Sequence, residues 1–167
     1  MKYFLIDASS YVAWALEGRP RVDFMAMHES GAAFLYMLQF CVTEVMSSFS
    51  RIYYFQAGSD RITKEKFKKL CADFAENIHE RKKIYIYDLH RYHNIVAEKK
   101  GVFAAACATD PNIGVFDILL ISMAMELNEV YKDKNDEIEI LSEDRKLCVA
   151  ARELGLRAHS IGPGGAK

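Results

Sequence analysis

The chain has 167 residues, of which 51% are hydrophobic and 27% are charged. That length fits one domain of about 100–200 residues, and the composition excludes a disordered polypeptide. The formal net charge of −1 excludes a protein that coats nucleic acid through a general basic excess. Any contact with nucleic acid should therefore be local, or bridged by a bound cation.

The cysteines and the N-terminal run predict a soluble protein of the reducing cytoplasm. The four cysteines, at positions 41, 71, 107 and 148, are too widely spaced for a metal knuckle or a redox pair, so we expect buried free thiols. The N-terminal apolar run ends at Asp7 and is shorter than the roughly 7–15 residues of a signal peptide. No run approaches the roughly 18 apolar residues of a membrane span.

Hydrophobic spacing, capping residues and helix breakers divide the chain into alternating elements. In the first half they predict a strand at 3–6, a helix at 11–16, a loop at 19–29, a helix at 31–54 and a helix capped by Thr63. In the second half they predict a strand at 84–89, followed by a helix that ends at about residue 99 and by two more helices at 102–108 and 115–131. A strand at 138–141, a helix at 145–154 ended by Gly155 and a strand at 157–161 complete the chain. This alternation is typical of an α/β domain with a central parallel sheet covered by helices on both faces. We place the domain at 1–162 and a flexible C-terminal tail at 163–167.

Two acidic residues follow predicted strands. Asp7 comes directly after the first strand, and two residues separate Asp144 from the strand at 138–141. Ligands of open α/β sheets bind outside the carboxyl ends of the strands. We therefore expect both carboxylates at one edge of the sheet.

Two further acids interrupt apolar segments. Glu44 is the only charged residue in 31–50, and Asp117 is the only acid in 111–125. Burial of a lone carboxylate is costly unless the carboxylate is paired or bound to a metal. Each of these residues therefore needs a partner.

Each of the four acids also has a purely structural explanation. Asp7 could cap the helix that follows it, and Asp144 and Asp117 could stabilise helix N-termini through the helix dipole. Glu44 could pair with Arg51. Alternatively, the four carboxylates converge, repel one another and require a cation, for which all-oxygen ligands favour Mg²⁺ or Mn²⁺. One shared site explains all four positions at once, and a water activated there by the cation could attack a phosphodiester.

The segments around these acids resemble the PIN-domain family. They are Ile6–Ser10, Thr43–Val45, Phe116–Leu120 and Leu141–Leu147, and they span nearly the whole chain. The most specific combination is an Asp-x-Ser after the first strand with a Ser-x-Asp after a later strand.

The resemblance implies a three-layer α/β/α domain that acts as a metal-dependent ribonuclease. Such enzymes hydrolyse single-stranded RNA and leave a 5′-phosphate and a 3′-hydroxyl. The resemblance assigns the catalytic, Mg²⁺- or Mn²⁺-binding acids and two pocket-orienting hydroxyls as follows: Asp7, Glu44, Asp117 and Asp144, with Ser9 and Ser142. Many small members are the toxin of a type II toxin–antitoxin pair, which further implies a homodimer and a cognate antitoxin.

Two rival interpretations stay open at this point. One is a non-catalytic PIN-fold interaction module that acts through partner contacts. The other is a receiver-like regulatory domain, although no phosphoacceptor Asp on a central strand with a Lys after a later strand is evident. The additional length at 19–30 and 131–139 departs from the compact toxins, which weighs against toxin identity more than against nuclease chemistry.

Overall fold

The computed structural model describes residues 1–17, 23–56, 61–79, 83–88, 105, 108, 112–131 and 137–160. The strands in these ranges are β1 (Lys2–Ile6), β2 (Ala33–Leu38), β3 (Ile84–Tyr87), β4 (Ile138–Leu141) and β5 (Arg157–His159). The helices whose bounds lie in these ranges are α1 (Ala8–Glu17), α2 (Phe24–Glu29), α3 (Gln39–Phe55), α4 (Lys64–His79), α5 (Val115–Tyr131) and α6 (Arg145–Glu153).

The strands form one parallel sheet in the order β3-β2-β1-β4-β5. β1 lies at the centre, where Phe4 is in register with Leu35 of β2 and with Glu139 of β4. Helices flank the sheet, so the predicted α/β class with a central parallel sheet is confirmed. Receiver domains have the order 2-1-3-4-5, in which β1 lies between β2 and β3. The described strands place β4 beside β1 instead, which argues against the receiver interpretation.

The strand order reverses at β1. The chain passes from β1 to β2 on one side, and β4 later pairs with β1 on the other side. Such a reversal opens a crevice outside the carboxyl ends of the strands. The amide of Asp7 donates to the Leu141 carbonyl at 2.9 Å, and the amide of Ser142 donates to the His159 carbonyl at 3.1 Å. Residues 7 and 142 therefore leave the sheet at fixed positions on one edge.

The central strands are buried on both faces. Phe4, Leu5 and Ile6 are successive residues of β1 and are almost fully buried, and all four residues of β4 are buried. Continuous burial of this kind is expected for parallel strands covered by helices on both sides. The core thus fixes the ends of β1 and β4, and with them the positions of Asp7 and Ser142, which follow these strands directly.

Two predicted elements are wrong. The predicted helix at 31–54 begins with β2 and becomes helical only at Gln39. A short apolar run that is buried on both faces of a sheet cannot be distinguished from a helix by its periodicity. Residues 24–29 form α2 instead of a loop, and the Asp23 side chain caps α2 by accepting the Ala26 amide at 3.0 Å.

Other predicted boundaries agree closely with the structure. α5 and β4 match, Thr63 caps α4 by accepting the Lys66 amide at 3.1 Å, and Gly155 follows α6 with a φ of 82°. β3 and β5 end two residues earlier than predicted. The predicted helices to about 99 and at 102–108 and the tail at 163–167 lie outside the described residues.

The described cysteines are all free. Cys41 and Cys148 are buried, as predicted, and Cys71 is partly exposed, whereas Cys107 lies outside the described residues. None of the helices in the described ranges combines the length and the apolarity that a membrane crossing requires.

Glu139 is a buried acid in β4 that lies outside the segments resembling the PIN-domain family. Its side chain is 8% exposed and lies 2.9 Å from His159 Nε2, 3.5 Å from Lys2 Nζ and 3.9 Å from Arg157 Nη1. Three basic side chains on the adjacent strands β1 and β5 therefore compensate one carboxylate. Glu139 is thus an isolated acid in an apolar strand that needs no metal.

Replacing His159 with Phe should lower the free energy of unfolding by about 1–2 kcal/mol, because Glu139 loses its nearest partner while it stays buried. The same replacement in a Glu139→Leu background should have little effect, because no buried carboxylate remains. Urea unfolding of the four proteins measures both differences. An equal loss in the two backgrounds would show that His159 stabilises the fold independently of Glu139.

Candidate metal centre

A cavity of about 430 Å³ lies at the carboxyl edge of the sheet, beside the ends of β1 and β4. Its volume is in the range of about 300–1,000 Å³ that is common for ligand sites. The lining contains all four predicted acids, Asp7, Glu44, Asp117 and Asp144, together with Ala8, Ser9, Phe40, Ser47, Ser48, Arg51 and Phe116. The fold therefore brings the four carboxylates, which come from separate segments of the chain, to one cavity.

The Asp7 carboxylate is held by three hydrogen bonds. Oδ2 accepts from the Ser142 hydroxyl at 2.8 Å and from the Ser9 hydroxyl at 2.5 Å, and Oδ1 accepts from the Ala8 amide at 2.8 Å. Ser142 is fully buried at the end of β4. Both predicted pocket hydroxyls thus contact the first acid, and they fix its orientation across the junction of β1 and β4.

The same two hydroxyls also hold the segment that carries Asp144. Ser9 Oγ accepts the Glu143 amide at 2.9 Å, and Ser142 Oγ accepts the Asp144 amide at 3.0 Å. The two hydroxyl oxygens are 3.2 Å apart. One hydrogen-bonded network therefore sets the position of Asp144 relative to Asp7.

Asp144 and Asp117 also fulfil the structural roles considered for them. Asp144 caps α6, because its Oδ1 accepts the Lys146 amide at 2.7 Å and the Leu147 amide at 3.4 Å. Asp117 lies in the first turn of α5, and its Oδ2 accepts the Gly114 amide at 2.9 Å. These roles explain the local geometry of each acid, but they do not remove the negative charge of either one.

Glu44 has no basic partner among the residues that the structure describes. Among the described residues it forms no ion pair, so the predicted alternative of pairing with Arg51 is not realised. Instead, ligand atoms of Glu44, Asp7 and Cys41 all lie within 4.8 Å of one another. Two carboxylates thus approach each other at the inner part of the cavity.

The four acids interact electrostatically as a group. Burial raises the pKa of Glu44 above its usual value, and the charges of Asp7 and Asp117 raise it further. Burial also raises the pKa of Asp117, where the charges of Asp144 and Asp7 add to the effect and the Gly114 amide opposes it. The charges of the neighbouring acids therefore make the ionised states of Glu44 and Asp117 less favourable.

Cys41 is a member of the cluster that the sequence did not predict. Its thiol is buried, and burial together with the nearby charges of Asp7 and Glu44 raises its pKa well above the usual value. The thiol therefore stays protonated and can donate a hydrogen bond to Glu44. The oxygen donors of the two carboxylates in the cluster suit a hard cation such as Mg²⁺ or Mn²⁺.

The sequence analysis also missed Phe40, Ser47 and Ser48 in the cavity lining, although their helical spacing from Glu44 was visible in the sequence. Phe40, Ser47 and Ser48 lie on α3 at spacings of three and four residues from Glu44 and Arg51, so they share one face of the helix. Aromatic residues and serines are common on any half-buried face, so their types gave no reason to select them.

No model of a known protein family matches the chain, and no curated protein matches its sequence. The PIN-domain resemblance therefore stays a prediction that rests on the segments around the four acids.

In metal-free buffer at neutral pH, Glu44→Gln should raise the free energy of unfolding by roughly 0.5–1 kcal/mol, the scale of interactions between partly exposed charges. The gain arises because one of four mutually repelling charges is removed. Since the folded-state pKa of Glu44 is raised, wild-type Glu44 destabilises the fold increasingly as the pH rises from the unfolded-state pKa to the folded-state pKa, and fully above it. The difference should therefore vanish below about pH 4, where Glu44 is protonated in both states. Thermal unfolding in EDTA measures it.

Asp73→Asn is the matched control, because Asp73 is an exposed acid of α4 outside this cavity. It should leave the melting temperature nearly unchanged. A destabilised Glu44→Gln protein at neutral pH would contradict the repulsion between the acids.

Proposed function

We propose that the protein is a divalent-metal-dependent ribonuclease that hydrolyses phosphodiester bonds of single-stranded RNA. In this proposal Asp7, Glu44, Asp117 and Asp144 hold Mg²⁺ or Mn²⁺. The observation that supports it most is the convergence of these four carboxylates on one cavity without a described basic partner for Glu44.

The donor set fits the cation. Oxygen ligands from carboxylates are what Mg²⁺ and Mn²⁺ prefer, and the Cys41 thiol can support Glu44 as a hydrogen-bond donor in the metal-free chain. Hydrogen bonds from Ser9 and Ser142 orient the Asp7 carboxylate, and supporting contacts of this kind tune metal sites. Burial raises the pKa values of Glu44 and Asp117, and a positive ion would offset the repulsion between the acids that raises them further.

The reaction proposed is hydrolysis with cleavage on the 3′-oxygen side. A water oxygen bonds to phosphorus, the bond from phosphorus to O3′ breaks, and a proton passes to O3′, which leaves a 5′-phosphate and a 3′-hydroxyl. When bound, the divalent cation supplies positive charge for the phosphodiester and lowers the pKa of the attacking water. Hydrogen bonds within the chain hold the carboxylates in fixed positions, so the site needs little reorganisation during the reaction.

Narrower proposals follow from the resemblance to PIN domains alone. They are that the protein is the toxin of a type II toxin–antitoxin pair, that it forms a homodimer, that a cognate antitoxin blocks the cavity, and that it acts in the cytoplasm.

The test is cleavage of labelled single-stranded RNA in Mn²⁺ or Mg²⁺ by the wild-type protein and by Asp7→Asn and Glu44→Gln. Each variant should lose more than about 100-fold in rate, because even supporting residues of metal sites contribute about 10–100-fold. EDTA should abolish the activity, and Asp73→Asn should retain it. Cleavage that persists in Asp7→Asn would refute the assignment, and inactive protein that still binds Mn²⁺ would favour the non-catalytic interaction module.

Gly114→Ala offers a separate test of how Asp117 is placed. A Cβ at position 114 would lie 3.0 Å from Asp117 Oδ2, closer than nearly all such contacts, so the carboxylate must shift by a few tenths of an ångström. We expect cleavage at limiting Mn²⁺ to fall roughly 10-fold and to recover partly at saturating Mn²⁺. Cleavage rates measured across a Mn²⁺ titration give both values. An unchanged Mn²⁺ dependence would show that the position of Asp117 is not critical.

A further inference from the structure

An aromatic pair lies at the cavity that holds the four acids. Phe116, at the start of α5, stacks on Phe40, at the start of α3, with 4.8 Å between ring centroids and 26° between ring planes. Both rings line the cavity, yet Phe116 remains 51% exposed. An exposed large ring beside a group of carboxylates contributes little to the core, so it offers apolar surface to a ligand of the cavity.

A basic side chain, Arg51, lies at the other end of the face of α3 that carries Phe40. Phe40, Glu44, Ser47 and Arg51 succeed one another along α3 and all line the cavity. With a rise of 1.5 Å per residue, Arg51 lies about 16 Å from Phe40 along the helix axis. Arg51 is exposed, and among the described residues it forms no ion pair. Its guanidinium can therefore bind an anion that enters the cavity.

We propose that this face of α3 is a binding track for a single strand of nucleic acid, in which one base stacks on Phe116 and a backbone phosphate pairs with Arg51. Glu44 lies between Phe40 and Arg51 along α3 and shares the cavity with the other three acids, so the phosphodiester to be cleaved would be presented to them. The assignment of that phosphodiester rests on the proposed function, whereas the two binding contacts do not require catalysis.

The chemistry of the two contacts suits a polyanion that must approach an acidic cavity. Stacking on Phe116 depends little on charge and requires an unpaired base, which selects single strands over duplexes. Arg51 offers a planar group that can donate two hydrogen bonds to a phosphate. Because the chain has a net charge of −1, it cannot rely on a general basic surface for affinity. Local contacts such as these must supply it.

The stacking contact is tested with RNA in which one abasic nucleotide is moved stepwise along the strand. For the wild-type protein, one position near the cleaved bond should lower kcat/KM roughly ten-fold. Phe116→Leu should lose a similar factor on intact RNA and should then be insensitive to that abasic position, whereas Phe116→Trp should behave as wild type. The matched control is Phe55→Leu, since Phe55 is 82% exposed at the end of α3 and does not line the cavity.

The phosphate contact is tested by the salt dependence of binding to a single-stranded DNA oligonucleotide, followed by fluorescence polarisation in EDTA. Arg51→Gln should reduce the slope of log affinity against log salt by about 0.7, the value for one phosphate of a single strand. Lys68→Gln, on an exposed part of α4, should leave the slope unchanged.

The results separate this inference from the nuclease proposal. If RNA is not cleaved but Arg51→Gln lowers the salt slope and Phe116→Leu lowers the affinity for the oligonucleotide roughly ten-fold, the track stands and the nuclease proposal fails. If RNA is cleaved but Phe116→Leu stays sensitive to the abasic position and Arg51→Gln keeps the wild-type slope, the track is refuted. Absence of both binding and cleavage refutes both.

Discussion

Four carboxylates that share one cavity repel one another, so the fold must hold each of them against that repulsion. Amide and hydroxyl donors do this for Asp7 and Asp117, and Asp144 is held because it caps α6. These hydrogen bonds fix positions, but they leave the total charge unchanged. Burial raises the pKa values of Glu44 and Asp117, and the charges of the neighbouring acids raise them further. A bound divalent cation would satisfy the remaining requirement. Under the proposed function, the metal-free chain would give up some stability for a site that is ready to bind a cation.

Glu139 shows the other way in which this fold accommodates an isolated acid. It lies in the apolar strand β4, where Lys2 and Arg157 on the adjacent strands compensate its charge and His159 Nε2 lies 2.9 Å from its carboxylate. Glu44 likewise lies in an apolar segment, but the described charges that act on it are those of the acids Asp7 and Asp117. An acid in an apolar segment is therefore expected to need a partner. Only its surroundings in the folded chain decide whether that partner is a basic side chain or a bound metal ion.

The sequence was sufficient to predict the alternation of strands and helices, the position of α5 and β4, and the acids that line the cavity. It was insufficient for β2, because an apolar segment buried on both faces lacks the alternation that marks a strand. It also missed Cys41 and Phe116, since a thiol or an aromatic ring in an apolar helix is ordinary until its neighbours are known. Charges in apolar segments are informative in sequence because their burial is costly, whereas apolar side chains that border a site carry no such cost.

Isothermal titration of the metal-free protein with Mn²⁺ tests the central claim most directly, because it asks whether distant acids share one ion. Wild-type protein should bind Mn²⁺ saturably, and Glu44→Gln and Asp117→Asn should each weaken that binding by at least about ten-fold. Glu139→Gln should leave it unchanged. Saturable binding that is unaffected by Glu44→Gln or by Asp117→Asn, or no binding at millimolar Mn²⁺, would contradict a shared metal site.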